Sequence, residues 1–416
     1  MSRPTIVFVN RVYPPVRGAT GRLLRDLARS FAREGWNVSV ITTGPKSEKK
    51  GRDGPIQVIR VKGPEKPASI FGYMWVWLKM FMALLRLPPQ HLIVTMTDPP
   101  MLVVAGSAIA RIKKSRHIHW CQDLYPDVLP ALGRHVPRFL LAPFTWLGRF
   151  AMKRCDKSIV IGRCMAQRLS NDGLDPQKIT VIPNWPDFEL MRPVPNTLSL
   201  KPVPPEGAKP YESLLKNDSP KFRILYAGNI GHAHPLNTII DAADLLHVSN
   251  PEIEFVFVGD GVRFDEVAHE RSRRGLDNIR LLPYQPANKL KELMESGDVH
   301  LISMKNEALG CIVPSKLYAA LAAQRPIILL GPREAETAKV IEDFHAGDVL
   351  PQGDAQALAD TVLAYRYDST KWFNAQQGAI EASKIFVPRE SIEAWMERAR
   401  GVVQPDFAGH TLKKRA

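Results

Sequence analysis

Cysteine is scarce in this chain and follows no pattern. Cys121, Cys155, Cys164 and Cys311 stand singly, with no C-x-x-C and no zinc-ligand spacing. This argues against a disulfide framework, a dithiol redox centre and a structural zinc site, and suits reduced cytosolic thiols. Long apolar runs are scarce as well. Residues 1–10 hold too short an apolar run for a signal peptide and lack a small-residue cleavage site, so they are expected to form a first strand. There is no paired-carboxylate motif, no cluster of metal-ligating residues and no internal sequence repeat. Acidic charge is thin in the first half: residues 1–200 hold 30 Lys+Arg against 13 Asp+Glu, a net +17, while the remainder is −3. That asymmetry points to an anionic partner for the first half, whether nucleic acid, an acidic membrane surface or a phosphorylated substrate.

A chain of 416 residues exceeds what one core serves and is expected to form two domains with a cleft between them. Thr5–Val9 reads as a strand, Leu23 to Phe31 as a helix with apolar residues at helical spacing, and Val38–Thr43 as a second strand. Leu92–Thr97, His117–Cys121, Ser158–Ile161 and Ile179–Ile182 continue a parallel, doubly wound sheet. A second set of strands follows at Phe222–Ala227, Phe255–Val258, Ile279–Leu282 and Val299–Ser303, with helices at Leu236–Leu246, Ala287–Glu295, Glu334–Asp343, Ala355–Tyr365 and Ile392–Arg400. The fold class is α/β, with two Rossmann-like domains. The expected division is 1–190 for the first domain, 191–220 for a Pro-rich linker and 221–375 for the second domain. A C-terminal helix over 376–402 returns to the first domain, and a basic tail covers 403–416.

Two segments combine aromatics with basic residues. The stretch 70–87 is rich in Phe, Trp and Met but carries Lys79 midway, and a bilayer span takes about 20 apolar residues. The stretch 134–154 sets Phe139, Phe144, Trp146 and Phe150 among arginines and lysines. Either could simply cover the sheet. Beside a +17 domain, both suit the surface of an anionic membrane.

Loops at the carboxyl ends of strands carry the candidate chemistry. Gly18 and Gly21 follow the first strand, and their lack of a side chain lets backbone approach a ligand. Asn229, Gly231 and His232 follow Phe222–Ala227. Gly259 and Asp260 follow the next strand, where Asp260 also reads as an ordinary turn residue. Tyr284 stands in a loop suited to a flat base. The segment Glu307-Ala308-Leu309-Gly310-Cys311-Ile312-Val313-Pro314-Ser315-Lys316 runs into a helix, with Ser315 as a candidate N-cap and Lys316 as a cation. Orphan N–H groups and a lysine at a helix start favour a phosphate.

Taken together, Tyr13-Pro14-Pro15 with Gly18, Val181-Ile182-Pro183-Asn184, Ala227-Gly228-Asn229-Ile230-Gly231, Gly259-Asp260-Gly261 and Pro314-Ser315-Lys316 occur in one order along nearly the whole chain. In this the chain resembles a family 4 retaining glycosyltransferase of the GT-B fold, in which two parallel-sheet domains face a central cleft. Gln122-Asp123-Leu124-Tyr125-Pro126-Asp127 is similar to the colanic-acid and O-antigen branch, whose members extend polysaccharide or lipid-linked sugar chains at the inner face of the cytoplasmic membrane.

The resemblance implies a nucleotide-sugar donor, a UDP-sugar by preference, held by the second domain with Asn229, Gly231 and Lys316 near its diphosphate. Tyr284 would contact the base and Gly18 would close over the donor. Gln122 and Asp123 would face the reacting sugar, with Asp123, Gln122 and Lys316 as catalytic residues. Glu307, Gly310, Cys311, Ile312, Val313 and Ser315 would line the donor. It further implies front-face attack without an enzymatic nucleophile, no metal and no cofactor, and a lipid-linked or polysaccharide acceptor.

The chain departs from the family at Ala319 and Cys311, where glutamates usually clasp ribose and sugar, with Glu307 as a possible substitute for the first. It also has His232-Ala233-His234 where a basic partner is usual. Two other readings remain: a pseudoenzyme partner of a polysaccharide-assembly complex, and a nucleotide-sugar 2-epimerase. Nucleic acid fits poorly, since the basic segments are aromatic-apolar helices and no recognition motif occurs. Nothing in the sequence fixes an oligomeric state.

Overall fold

The computed structural model describes residues 3–16, 18–44, 50–64, 69–134, 136–191, 221–261 and 263–403. The expected Pro-rich linker beyond Met191 and the basic tail beyond Val403 lie outside the described residues. The first half forms an eight-stranded sheet in the order β3-β4-β2-β1-β5-β6-β7-β8. Its strands are β1 Thr5–Val9, β2 Asn37–Gly44, β3 Lys50–Asp53, β4 Ile56–Lys62, β5 Leu92–Thr95, β6 Arg116–Cys121, β7 Lys157–Val160 and β8 Ile179–Val181. All pairings are parallel except β3 with β4. Short apolar runs such as Ile6–Val9 and Leu92–Val94 are buried on both faces, as parallel strands under helices must be. The helices are α1 Ala19–Arg33, α2 Ile70–Arg86, α3 Leu102–Lys113, α4 Arg138–Arg154 and α5 Arg163–Asn171.

The second half forms a parallel six-stranded sheet in the order β11-β10-β9-β12-β13-β14. Its strands are β9 Phe222–Ala227, β10 Ile253–Val258, β11 Ile279–Leu282, β12 Val299–Ser303, β13 Ile327–Leu330 and β14 Gly347–Leu350. Around it lie α6 Asn237–His247, α7 Phe264–Arg274, α8 Leu290–Glu295, α9 Lys316–Ala322, α10 Glu336–Phe344, α11 Ala355–Tyr367, α12 Ser369–Ile385 and α13 Pro388–Val403. In each sheet strand order reverses about one central strand, β1 between β2 and β5, and β9 between β10 and β12. Ligands of such sheets sit at the carboxyl ends beside that reversal.

Among the contacts that join the halves, two stand out, beside the Arg163 ion pairs with Glu336 and Asp343. α12 packs against α9 and α10 in the second domain, so that domain runs ten residues past the expected boundary at 375, to Ile385. α13 then crosses to the first domain, where the Trp395 ring lies 4.9 Å from Trp120, itself 5.9 Å from Trp185, and Arg400 pairs with Glu34. A fully buried tryptophan removes roughly 200 Å² from water, about 5 kcal/mol before entropy, which fixes α13 in place. The second connection is the β12–α9 loop. Cys311 and Val313 belong to the first domain's core, Leu124 donates its N–H to the Cys311 carbonyl at 2.8 Å, and Arg168 donates to the Leu309 carbonyl at 3.1 Å.

α2 buries a single stripe, Val76, Met80 and Leu84, at the four-residue spacing of one helix face. Its other face leaves Ile70, Phe71, Met74, Trp75 and Leu78 in solvent, and α4 likewise exposes Phe139, Leu140, Phe144, Trp146 and Phe150. Both helices flank α3. Among the described residues no helix is long and apolar enough to cross a membrane.

Candidate active site

On the second domain, the loops after β9 and β10 meet backbone to backbone. Gly228 donates its N–H to the Val258 carbonyl at 2.8 Å, and Ile230 donates to the Asp260 carbonyl at 2.8 Å. Gly259 has φ 148°, and a Cβ there would stand 2.2 Å from the Gly228 oxygen. Glycine is therefore dictated by sterics at this crossing. Lys316, the first residue of α9, lies over this platform. Its Nζ donates to the Asn229 carbonyl at 3.0 Å, sits 3.5 Å from His234 Nε2 and stands 4.7 Å from the Tyr226 ring centroid.

His234 Nδ1 meets the Ser303 carbonyl at 2.5 Å. A carbonyl only accepts, so Nδ1 carries the proton and Nε2 turns its lone pair toward Lys316. Burial, reinforced by the Lys316 charge, pushes the His234 pKa down to about 3 and keeps the ring neutral. Burial also lowers Lys316 to about 7. The ammonium is thus poised to lose its proton at neutral pH unless an anion sits beside it.

On the first domain, Arg11 and Asp98 form a two-point pair, Nε to Oδ1 and Nη2 to Oδ2, both 2.7 Å, at the carboxyl ends of β1 and β5. Asp123 follows β6, and its N–H donates to Thr97 Oγ1 at 3.4 Å. Among the described residues no group donates a hydrogen bond to its half-buried carboxylate. Burial and the neighbouring Asp98 raise its pKa to about 7. A carboxyl held near neutrality without a partner is suited to receiving a substrate hydroxyl. Tyr73 of α2 lies beside the Arg11–Asp98 pair, its ring 5.9 Å from the Arg11 guanidinium. The second aspartate of the motif, Asp127, instead binds Arg149 and Arg168, each at 3.1 Å, and so fastens the turn to α4 and α5.

Several sequence-predicted residues take other roles. Gln122 is buried in a reciprocal amide pair with Asn184, at 3.0 and 2.7 Å, tying the β6 loop to the β8 loop. The Cys311 side chain is turned into the first domain's core, and Val313 is buried beside it. Gly310 packs against Arg168 and the Cys164 carbonyl, with Ile312 partly buried between two cores. All four residues bridge the domains, because an apolar loop at the cleft is more stable buried than wet. Ser315 has helical backbone angles and makes no side-chain cap bond, so it does not serve as the N-cap that the sequence suggested.

His232 is exposed, and the histidine beside Lys316 is His234. Asp260 is exposed and accepts from the Gly261 N–H at 2.7 Å, a turn role, with the half-exposed Tyr284 near it. Glu307 is exposed in the turn Asn306–Ala308. Gly18 begins α1, and its bareness answers Val12, whose Cγ1 would lie 2.9 Å from a Cβ. Ala319 lies on α9, partly buried against the cluster holding Leu225 and Val256. Sequence reasoning missed Arg11, Asp98 and Tyr73. The Thr97-Asp98-Pro99 turn directly after a buried strand was the available signal. Among the described residues no group of three or more His, Cys, Asp or Glu is placed to hold a metal ion.

Comparison with known proteins agrees with this architecture. WbjE of Pseudomonas aeruginosa, a probable glycosyltransferase, is 25% identical over 264 residues, 63% of this chain and 63% of that protein. WcaI of Escherichia coli K12, a putative colanic acid biosynthesis glycosyl transferase, is 24% identical over 80% of this chain and 84% of its own. Among solved structures, Anabaena HepE in complex with UDP-glucose superposes with a TM-score of 0.70 at 16% identity, covering 95% of this chain and 98% of that one. The fold is therefore GT-B. The model of Glycosyltransferase Family 4 matches residues 20–190 and that of Glycosyl transferases group 1 matches 212–377, so the chain belongs to the family 4 glycosyltransferases.

Proposed function

We propose that the chain moves a sugar from a nucleotide-sugar donor, a UDP-sugar by preference, to a lipid-linked or polysaccharide acceptor in bacterial surface polysaccharide synthesis, retaining anomeric configuration. The observation that carries this is Lys316, a half-buried cation lying over the glycine platform of Gly228 and Gly259 at the carboxyl edge of the second sheet. That site suits a diphosphate, whose charge would hold the lysine protonated. The HepE complex with UDP-glucose and the colanic-acid assignment of WcaI support the donor and acceptor classes.

In the reaction, the bond from the sugar's anomeric carbon to the diphosphate oxygen breaks while Lys316 offsets the developing charge. The acceptor oxygen bonds to that carbon from the same face, and its proton passes to the departing phosphate. Asp123, unpartnered and beside the Arg11–Asp98 pair, receives a hydroxyl of the reacting sugars and orients it. The scheme uses no metal and no cofactor. The +17 half and the exposed faces of α2 and α4 support a peripheral position on the inner face of the cytoplasmic membrane.

Incubation with UDP-, GDP- and ADP-sugars and bacterial lipid extract should release nucleotide and form a glycosylated lipid with at least one donor. Binding without turnover for every donor would favour the pseudoenzyme reading that Ala319 keeps open, and no binding at all would sink both. Serine at Phe71, Met74, Trp75 and Leu78 should release the protein from vesicles in a sedimentation assay, whereas undiminished sedimentation would remove α2 from the membrane contact.

A further inference from the structure

A concavity lined by basic residues lies at the opposite end of the first sheet. Where α3 and α4 end beside the start of β6, a cavity of about 420 Å³ opens, within the size range of small-molecule sites. Arg111, Lys114, Ser115, Arg116, Arg154 and Asp156 line it. Asp156 is already engaged, accepting from Arg116 at 2.9 Å and from the His117 N–H at 2.8 Å. Arg111, Lys114 and Arg154 have no carboxylate partner among the described residues. The Ser115 hydroxyl oxygen is buried without any hydrogen-bond partner.

Cations at helix C-termini are ordinary, since each offsets the negative end of a helix. That effect fades within the last turn. It does not explain three cations without a carboxylate partner around one concavity, where mutual repulsion opposes their gathering.

The surroundings suggest what the cavity holds. α4 has 17 residues, about 25 Å. Its exposed apolar residues lead from Phe139 to Phe150, whose ring lies 4.2 Å from the Arg154 guanidinium at the cavity rim. Ile112, beside Arg111, is 66% exposed. Apolar side chains that stop at a ring of cations reproduce the boundary between acyl chains and headgroups.

We propose that this cavity binds the phosphate-bearing headgroup of an anionic glycerophospholipid and so sets the orientation of the first domain on the membrane. The proposal rests on the peripheral-membrane reading given above. Recognition is by the charges of Arg111, Lys114 and Arg154, at the far end of β6 from Asp123, so the headgroup is bound apart from the transfer site.

The test compares sedimentation with phosphatidylcholine vesicles and with vesicles containing roughly one-third phosphatidylglycerol. The wild-type protein should prefer the anionic vesicles by tenfold or more. The variant Arg111→Ser/Lys114→Ser/Arg154→Ser should lose that preference, while keeping its weaker binding to neutral vesicles and its transfer rate to a detergent-solubilised acceptor. A control that removes equal charge elsewhere, Arg271→Ser/Lys384→Ser/Arg398→Ser, should keep the preference. If the cavity variant keeps the preference, or the control loses it equally, the cavity is not the headgroup site. If the wild-type protein binds neither vesicle, the membrane reading and the cavity proposal fall together.

Discussion

The two walls of the cleft differ in how far their polar groups are already engaged. On the second domain, Lys316 donates to the Asn229 carbonyl, His234 is held by Ser303, and Arg263 donates to the His234 carbonyl at 2.7 Å. On the first domain, Asp98 is clasped by Arg11, but the carboxylate of Asp123 receives no hydrogen bond among the described residues. The wall proposed to hold the donor is therefore pre-formed around one cation of lowered proton affinity, and the facing wall keeps a carboxylate of raised proton affinity in reserve. A transferase needs this division, because the leaving group must be stabilised on arrival while the second sugar must find an unoccupied acceptor of hydrogen bonds.

The largest effect is expected from Lys316→Ala, which removes the only charge assigned to the leaving group: kcat should fall about 10³-fold with the thermal melt unchanged. Unchanged turnover would take Lys316 out of the mechanism. Asp123→Asn should cost about 10²-fold in kcat/KM, and its pH profile separates the two walls. Asp123 has its pKa raised, so it is protonated below about pH 7 and activity falls as pH drops through that value. Lys316 has its pKa lowered, so its cation is lost as pH rises through about 7. The wild-type profile of kcat/KM should be a narrow bell, and Asp123→Asn should lose its acid limb only. A variant that keeps both limbs would assign the acid limb to another group. The smallest effect is expected from Ala319→Glu, which adds a carboxylate on the α9 helix and should tighten donor binding about tenfold by titration calorimetry. No change would mean that the donor is not held from that position.

Most strands buried on both faces were legible, but Ile327–Leu330, equally buried, was not read as one, because a four-residue apolar run does not tell strand from helix. Thr5–Val9, Phe222–Ala227 and Val299–Ser303 fall where their apolar runs put them. The antiparallel pair β3–β4 was not legible, because Lys50–Asp53 is an edge strand without apolar side chains and Ile56–Lys62 interleaves polar and charged residues with its apolar ones. α3 was missed because Leu102–Ala110 carries no polar face to mark a helical period.

At the site, the glycine loops and Lys316 could be found from spacing after strands. Which histidine meets the lysine could not, since His232 and His234 differ only in how their loop folds over Ser303. Cys311 and Val313 as a bridge between domains, and Gln122 locked to Asn184, depend on contacts across 62 or more residues that no local pattern encodes.

Lys316 is the residue proposed to supply the charge that holds and releases the nucleotide diphosphate. The most direct measurement of that role is equilibrium binding of UDP to the wild-type protein and to Lys316→Ala, from about pH 7 to pH 9. The wild-type affinity should fall as pH rises and the lysine loses its proton, while the variant binds weakly at every pH with no such decline. Equal affinities with the same pH dependence in both proteins would contradict the account.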